Sequence, residues 1–182
     1  MSKALAMIEY LTVSTGITAA DLMVKTAKVE LIEAHVVCPG KYIALIQGEL
    51  SAVKAAVDAS KARFPEKLVD SFVLGNPDDS IFPAIYGATE VTDPLSLGVL
   101  ETYSAASIIV AADIASKTSK VQLVELRIAK GMCGKSYMLI TGEVAAVQAA
   151  IDTVKERLKE SSMYLDSSVI ANPDKETWQN II

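Results

Sequence analysis

Two short stretches of this chain carry side chains whose types and spacing could do chemistry. In Val37-Cys38-Pro39-Gly40-Lys41 a thiol follows β-branched residues and precedes a turn. Proline fixes φ and has no N–H for a strand ladder, and glycine admits left-handed angles, so Cys38 is expected at the tip of a turn between two strands. A thiolate there is a nucleophile or a soft metal ligand, and what it does depends on how many copies of it meet. The second stretch, Ala129-Lys130-Gly131-Met132-Cys133-Gly134-Lys135-Ser136, fits a relaxed phosphate-loop pattern. That chemistry needs a helix to start straight after the lysine, so that amides and dipole face the phosphates. The residues that follow, Tyr137-Met138-Leu139-Ile140-Thr141, read as a strand, which argues against nucleotide hydrolysis.

Other reactive side chains are sparse. His35 is the one histidine, so no subunit can hold a multi-histidine metal site by itself. Glu33 and His35 are two apart, hence on one face of a strand, and read as a polar pair. No Ser-His-Asp or Cys-His set can be assembled, and the chain is not expected to be an enzyme. Glu9 and Glu101 are embedded in apolar strands and should be paired or sit at an interface. The charges from Asp152 to Glu160 alternate in sign and describe a solvated helix face.

The elements that position these residues follow from periodicity. Leu5–Leu11 reads as a buried strand and Ile17–Ala27 as an alanine-rich helix after the turn Ser14-Thr15-Gly16. Val29–Val37 and Tyr42–Gln47 form a hairpin through the Cys38 turn. Leu50–Phe64 is a helix with Leu50, Val53, Ala56 and Val57 on one face, ended by Pro65; Leu68–Leu74 is a fourth strand. The order β-α-β-β-α-β predicts an α+β, ferredoxin-like unit, an antiparallel sheet with both helices on one face. Asp78–Pro94 should hold a short helical piece and a linker, and Lys175–Ile182 a short amphipathic tail.

The unit occurs twice. Leu5-Ala6-Met7-Ile8-Glu9 recurs as Leu97-Gly98-Val99-Leu100-Glu101, Ala19-Ala20-Asp21 as Ala111-Ala112-Asp113, and Lys25-Thr26-Ala27-Lys28-Val29 as Lys117-Thr118-Ser119-Lys120-Val121. Gly40-Lys41 then matches Gly134-Lys135, Gly48-Glu49 matches Gly142-Glu143, and Asp70-Ser71 and Asn76-Pro77 match Asp166-Ser167 and Asn172-Pro173. The second copy gains two residues at the turn equivalent to that of Cys38, which places Met132 at the position of Cys38 and Cys133 at that of Pro39. Two tandem domains result, 1–92 and 93–182, with the boundary at Thr92-Asp93-Pro94.

Composition bounds the rest. Hydrophobic residues make up 51% and charged residues 21% of the 182, enough apolar material for sizeable cores. A net charge of −5 with pI near 4.9 argues against nucleic acid as a partner. The longest apolar candidate, Ala105–Ala115, is broken by Asp113 and falls short of the about 20 residues of a membrane span. Met1-Ser2-Lys3 leads directly into an apolar strand, so no secretory leader is expected. Two cysteines make no disulfide framework and suit a reducing cytosol.

The repeated Ala-Ala-Asp with a lysine four residues on, the Gly-Lys hairpin and Gly-Glu-(Leu/Val)-(Ser/Ala)-Ala-Val together resemble the shell-protein domain of bacterial microcompartments. Two copies in one chain resemble the tandem-domain shell proteins, and Val-Cys-Pro-Gly-Lys resembles the iron–sulfur-binding subtype found with propanediol utilisation. The resemblance implies a homotrimer shaped as a pseudo-hexamer that tiles a facet of the microcompartment shell, in the cytoplasm, beside other shell proteins. It implies that the turns Cys38–Lys41 and Lys130–Lys135 surround the central axis. Pro39, Gly40, Lys41, Met132, Cys133, Gly134 and Lys135 would then line the pore, and Lys25 and Lys117 would make lateral edge contacts. Asn76-Pro77-Asp78 and Asn172-Pro173-Asp174 depart from the arginine-containing edge motif of the family.

By the same resemblance Cys38 is a metal ligand, one per subunit, holding one [4Fe-4S] cluster per trimer for electron transfer across the shell, with lumen or cytosolic redox enzymes as partners. Three thiolates close together repel unless protonated or joined by a cation. Clusters are usually held by four cysteines, so a three-fold ring leaves one iron for water, a small ligand or an electron donor. The alternative implied function is a cluster-free pore conducting small metabolites.

Overall fold

A computed structural model describes residues 4–181. Met1, Ser2 and Lys3, on which the absence of a leader was argued, and Ile182 at the end of the tail lie outside them. The chain forms two compact units. The first runs to Pro77 and takes in Ser104–Ser107 and Ala129–Gly134; the second comprises Asp78–Tyr103, Ile108–Ile128 and the chain from Lys135.

In the first unit, β1 (Ala4–Tyr10), α1 (Val13–Thr26), β2 (Val29–Val37), β3 (Lys41–Gly48), α2 (Leu50–Arg63) and β4 (Leu68–Leu74) follow the expected order. The sheet order is β2-β3-β1-β4 and every pairing is antiparallel, the ferredoxin-like arrangement. The helices bury stripes at spacings of three and four: Gly16, Ala19, Ala20 and Met23 on α1, and Val53, Ala56, Val57 and Ser60 on α2. These stripes meet Ala4, Ala6, Ile8, Tyr10, Ala44 and Ile46 in one core. Tyr10 anchors it: its hydroxyl lies 2.9 Å from Ser60 O and 2.8 Å from Ser60 Oγ.

The helix α1 starts at Val13, four residues before the expected Ile17, so Ser14-Thr15-Gly16 is its first turn and not a loop before it. Glycine at position 16 is a packing residue: a methyl there would lie 2.3 Å from Tyr42 Cβ. The repeat reverses the sizes at these two positions, with Ile108 and Ser136, both fully buried.

The second unit contains α3 (Ile81–Ile85), β5 (Ser96–Thr102), the part of α4 (Ala105–Thr118) from Ile108, β6 (Gln122–Arg127), β7 (Ser136–Gly142), α5 (Val144–Leu158), β8 (Tyr164–Ile170) and α6 (Lys175–Ile181). Its sheet order, β6-β7-β5-β8, repeats the first. The tail is a structural element: Trp178 of α6 packs with Leu97, Val124 and Leu139, and its Nε1 donates to Leu95 O at 3.3 Å. The edge strands β2 and β6 each carry a register shift, between Leu31 and Glu33 and between Leu123 and Glu125, which changes the facing of the residues leading to each turn.

Candidate functional site

The Cys38 turn ends β2 and begins β3. Gly40 N–H donates to Val37 O at 2.9 Å and closes it, and Gly40 has φ +109°. Cys38 N–H donates to Ala129 O at 3.3 Å, which ties the turn to the Ala129–Gly134 segment of the same unit. The Cys38 thiol is free and partly exposed, and Pro39 and Gly40 are exposed. Cys133 is also free and is exposed, in a left-handed conformation at φ +52°.

Lys41, the last residue of the motif, turns inward. It is 8% exposed, and its ammonium makes an ion pair with Glu9 Oε1 and donates to Gly134 O at 3.0 Å. Glu9 is wholly buried, and its other oxygen accepts from Ala105 N–H at 2.8 Å and Ala106 N–H at 3.4 Å, at the start of α4. Burial pushes the Glu9 carboxyl above its ordinary range, while Lys41 and the two N–H groups pull the other way. The helix dipole favours a carboxylate at that end. Gly134 is required on two counts: its φ is +85°, and a methyl there would lie 2.8 Å from Lys41 Cε and 3.0 Å from Cys38 O.

A second carboxylate reinforces the arrangement. Asp70 is the cross-strand partner of Glu9. Its Oδ2 accepts from Ser107 Oγ at 2.6 Å and from Ser104 Oγ, while Ser104 Oγ accepts from Ser107 N–H at 3.0 Å. Glu9 thus satisfies two open N–H groups of the helix start, Ser104 Oγ satisfies a third, and Asp70 holds the serine hydroxyls in place. Glu9 was expected to be paired; Asp70, Ser104 and Ser107 were not singled out, and their only signal was Asp70-Ser71 recurring in the repeat.

The remaining candidates are dispersed. Met132 is partly exposed, Lys135 exposed and Gly134 buried. Ala129–Ser136 leads into β7 and not into a helix, so its amides are not presented as a phosphate cradle. Lys25 pairs with Asp21 at 2.6 Å and Lys117 with Asp113 at 2.7 Å, each closing an (i, i+4) bridge within the Ala-Ala-Asp motif. His35 Nδ1 lies 3.6 Å from Glu33 Oε2, and His35 Nε2 is buried without a hydrogen-bond partner. Burial lowers the affinity of His35 for a proton, Glu33 raises it, and Lys130 lowers it again. A cavity of about 620 Å³ in the second unit is lined by Pro94, Leu95, Val144 and Trp178 among others. Its charged residues are Glu143 and Lys175. Among the described residues no three His, Cys, Asp or Glu side chains converge within one chain.

The BMC domain family matches residues 4–77 and again 96–173. The chain belongs to this family. A full-length relative is the bacterial microcompartment shell protein PduT of Citrobacter freundii, 36% identical over 100% of this chain and 99% of its own. The carboxysome shell protein CsoS1 of Prochlorococcus marinus is 38% identical over 47% of this chain and 85% of its own. A microcompartments protein from Desulfitobacterium hafniense DCB superposes with a TM-score of 0.85 at 41% identity, covering 98% of this chain and 99% of that one. The fused permuted hexameric shell protein MSM0275 shares the fold, with a TM-score of 0.68 at 23% identity over 88% of this chain and 83% of its own. As a BMC shell protein the chain is a structural component of the microcompartment shell and not an enzyme. No helix among the described residues is long and apolar enough to cross a membrane.

Proposed function

We propose that this BMC chain forms a trimeric facet tile in which Cys38 of each copy ligates one [4Fe-4S] cluster on the three-fold axis. The observation that carries this reading is the construction of the Cys38 turn. The thiol is accessible, yet its backbone is fixed by the bond to Ala129 and, three residues on, by the buried Lys41–Glu9 pair. One chain supplies one thiol at this turn, which fits a shared site and no site within a single chain. When bound, such a cluster supplies one-electron chemistry, here directed across the shell.

The residues of the chain then have distinct tasks. Cys38 supplies the thiolate. Pro39 and Gly40 present it at a rigid tip, and Lys41 is committed to Glu9, so it holds the turn and leaves the rim without its charge. Redox enzymes on either side of the shell are the expected partners.

Anaerobic purification, absorbance near 400 nm and iron per trimer test the proposal. The wild type is expected to hold iron with that absorbance, and Cys38→Ser to lose both while remaining folded. Iron near zero in the wild type, even after cluster reconstitution, overturns the cluster and leaves a pore for small metabolites lined by the same turns.

A further inference from the structure

Within the first unit, Glu9, Lys41 and Asp70 bind two targets: the first turn of α4, Ser104–Ser107, and the Gly134 carbonyl. The repeat carries every one of these positions twice. Glu101, Lys135 and Asp166 stand for the three binding residues, and Thr12, Val13, Ser14, Thr15 and Gly40 stand for their targets. Even a local detail is repeated: Asp70 Oδ1 accepts from Ser71 N–H and Asp166 Oδ1 from Ser167 N–H, both at 2.8 Å.

In the second set the binding residues and their targets do not meet, and the two target hydroxyls bond each other, Thr12 Oγ1 donating to Thr15 Oγ1 at 2.9 Å. Glu101 and Lys135 form no hydrogen bond or ion pair among the described residues, and Lys135 is exposed where Lys41 is buried. The first turn of α4 is buried at every residue, whereas Thr12, Val13 and Thr15 are half-buried and Ser14 is exposed. That first turn of α1 has no acidic residue and no side-chain cap. Nothing lies within 4 Å of where a Gly40 methyl would be, in contrast to Gly134. The apolar surroundings agree: Ile17 and Val36 are each 53% exposed, while their repeat counterparts Ile109 and Ile128 are 0% and 2% exposed.

We infer that Glu101, Lys135 and Asp166 of one copy bind the first turn of α1 and the Gly40 carbonyl of a second copy, reproducing between chains the contacts that Glu9, Lys41 and Asp70 make within one. Glu101 accepts from the Val13 and Ser14 N–H groups, Asp166 accepts from the Thr12 and Thr15 hydroxyls, and Lys135 donates to Gly40 O. The contact is head to tail: each copy offers one binding set and one target set, and such an interface adds copies until a ring closes. This rests on the ring assembly proposed above and names the residues that join it. It also places the Cys38 turn of one copy under the lysine of the next.

Sedimentation of the intact chain tests it. Glu101→Gln and Asp166→Asn are each expected to raise the concentration at which copies dissociate about tenfold, the loss of a charge-assisted hydrogen bond. Thr15→Asp is expected to break assembly further by facing Asp166, although an acid in a first helical turn favours the isolated helix. Adding Asp166→Lys to Thr15→Asp is expected to restore assembly. Circular dichroism identifies any unfolded variant, in which case the near-isosteric Glu101→Gln and Asp166→Asn decide. A wild type that assembles while these two variants dissociate no more readily overturns the contact and leaves the ring. A monomeric wild type overturns both.

Discussion

At the scale of single residues, the Cys38 turn shows a charge put to structural use. Lys41 is three residues from the thiol, and on sequence alone it belonged to the rim of a passage. The structure turns it inward onto Glu9, because a wholly buried carboxylate requires a counter-charge. Lys41→Met is therefore expected to lower stability by about 3–5 kcal/mol, the cost of leaving one buried charge without its partner. Urea denaturation checks this, and a loss below 1 kcal/mol would mean that the pair behaves as a surface bridge. His35 yields a second expectation. Its proton affinity in the folded chain lies below the ordinary value, chiefly through burial, with Glu33 and Lys130 as the facing charges. The unfolded chain therefore takes up the proton first as pH falls through about 6.5. His35 contributes stability above that pH and loses it as pH falls further. The wild-type urea midpoint should drop between about pH 7.5 and 5.5, and His35→Gln should drop less; equal slopes would remove His35 from the account.

Elements were the most legible level. Strand and helix identities follow from runs of buried residues and from spacings of three and four, and the repeat fixed their order twice over. The start of α1 was less legible, because Ser-Thr-Gly has the composition of a turn. Its helical state is decided by close packing of Gly16 on Tyr42, a contact between residues far apart in sequence. The size exchange between the copies, Gly16 and Tyr42 against Ile108 and Ser136, predicts a compensated pair. Gly16→Ile alone should destabilise by about 1–3 kcal/mol through overpacking, and adding Tyr42→Ser should recover most of it. Thermal melting of the single and double variants decides, and a double variant no better than Gly16→Ile would show that the two copies pack differently here. The register shifts in β2 and β6 were equally hidden, since a ladder irregularity leaves no mark in composition.

For the whole molecule, the family and its structural role were readable from the repeat and its motifs. The geometry of the candidate site was readable only in part. The partly exposed thiol follows from Pro-Gly chemistry, but the frame behind it joins residues from five separate parts of the chain, positions 9, 41, 70, 104–107 and 134. No local pattern announces such a cluster. What the sequence did hold was the duplicate of each member, and the unequal exposure of the duplicates turns a list of matches into an expectation about assembly. Under the proposed assembly, a Cys38→Ser chain that holds no iron yet sediments as the wild type does would place the thiol and the joining contacts in separate roles.

The first unit is completed by two short segments that come after the linker, Ser104–Ser107 and Ala129–Gly134. The compact units thus do not divide the chain where the repeat does. A chain ended at Thr92 would retain Glu9, Lys41 and Asp70 without the hydroxyls, amides and carbonyl that accompany them, leaving Glu9 and Lys41 only each other. Such a fragment should fail to fold as a separate unit. In the intact chain the amide protons of Ala105 and Ala106 should exchange with solvent at the pace of β1, the strand whose Glu9 they bind, and slower than an ordinary helix end. Hydrogen exchange resolved by residue reads this directly, and rapid exchange at those two amides would show that the helix start frays independently. The dependence runs one way: the first copy is not finished until the chain has entered the second.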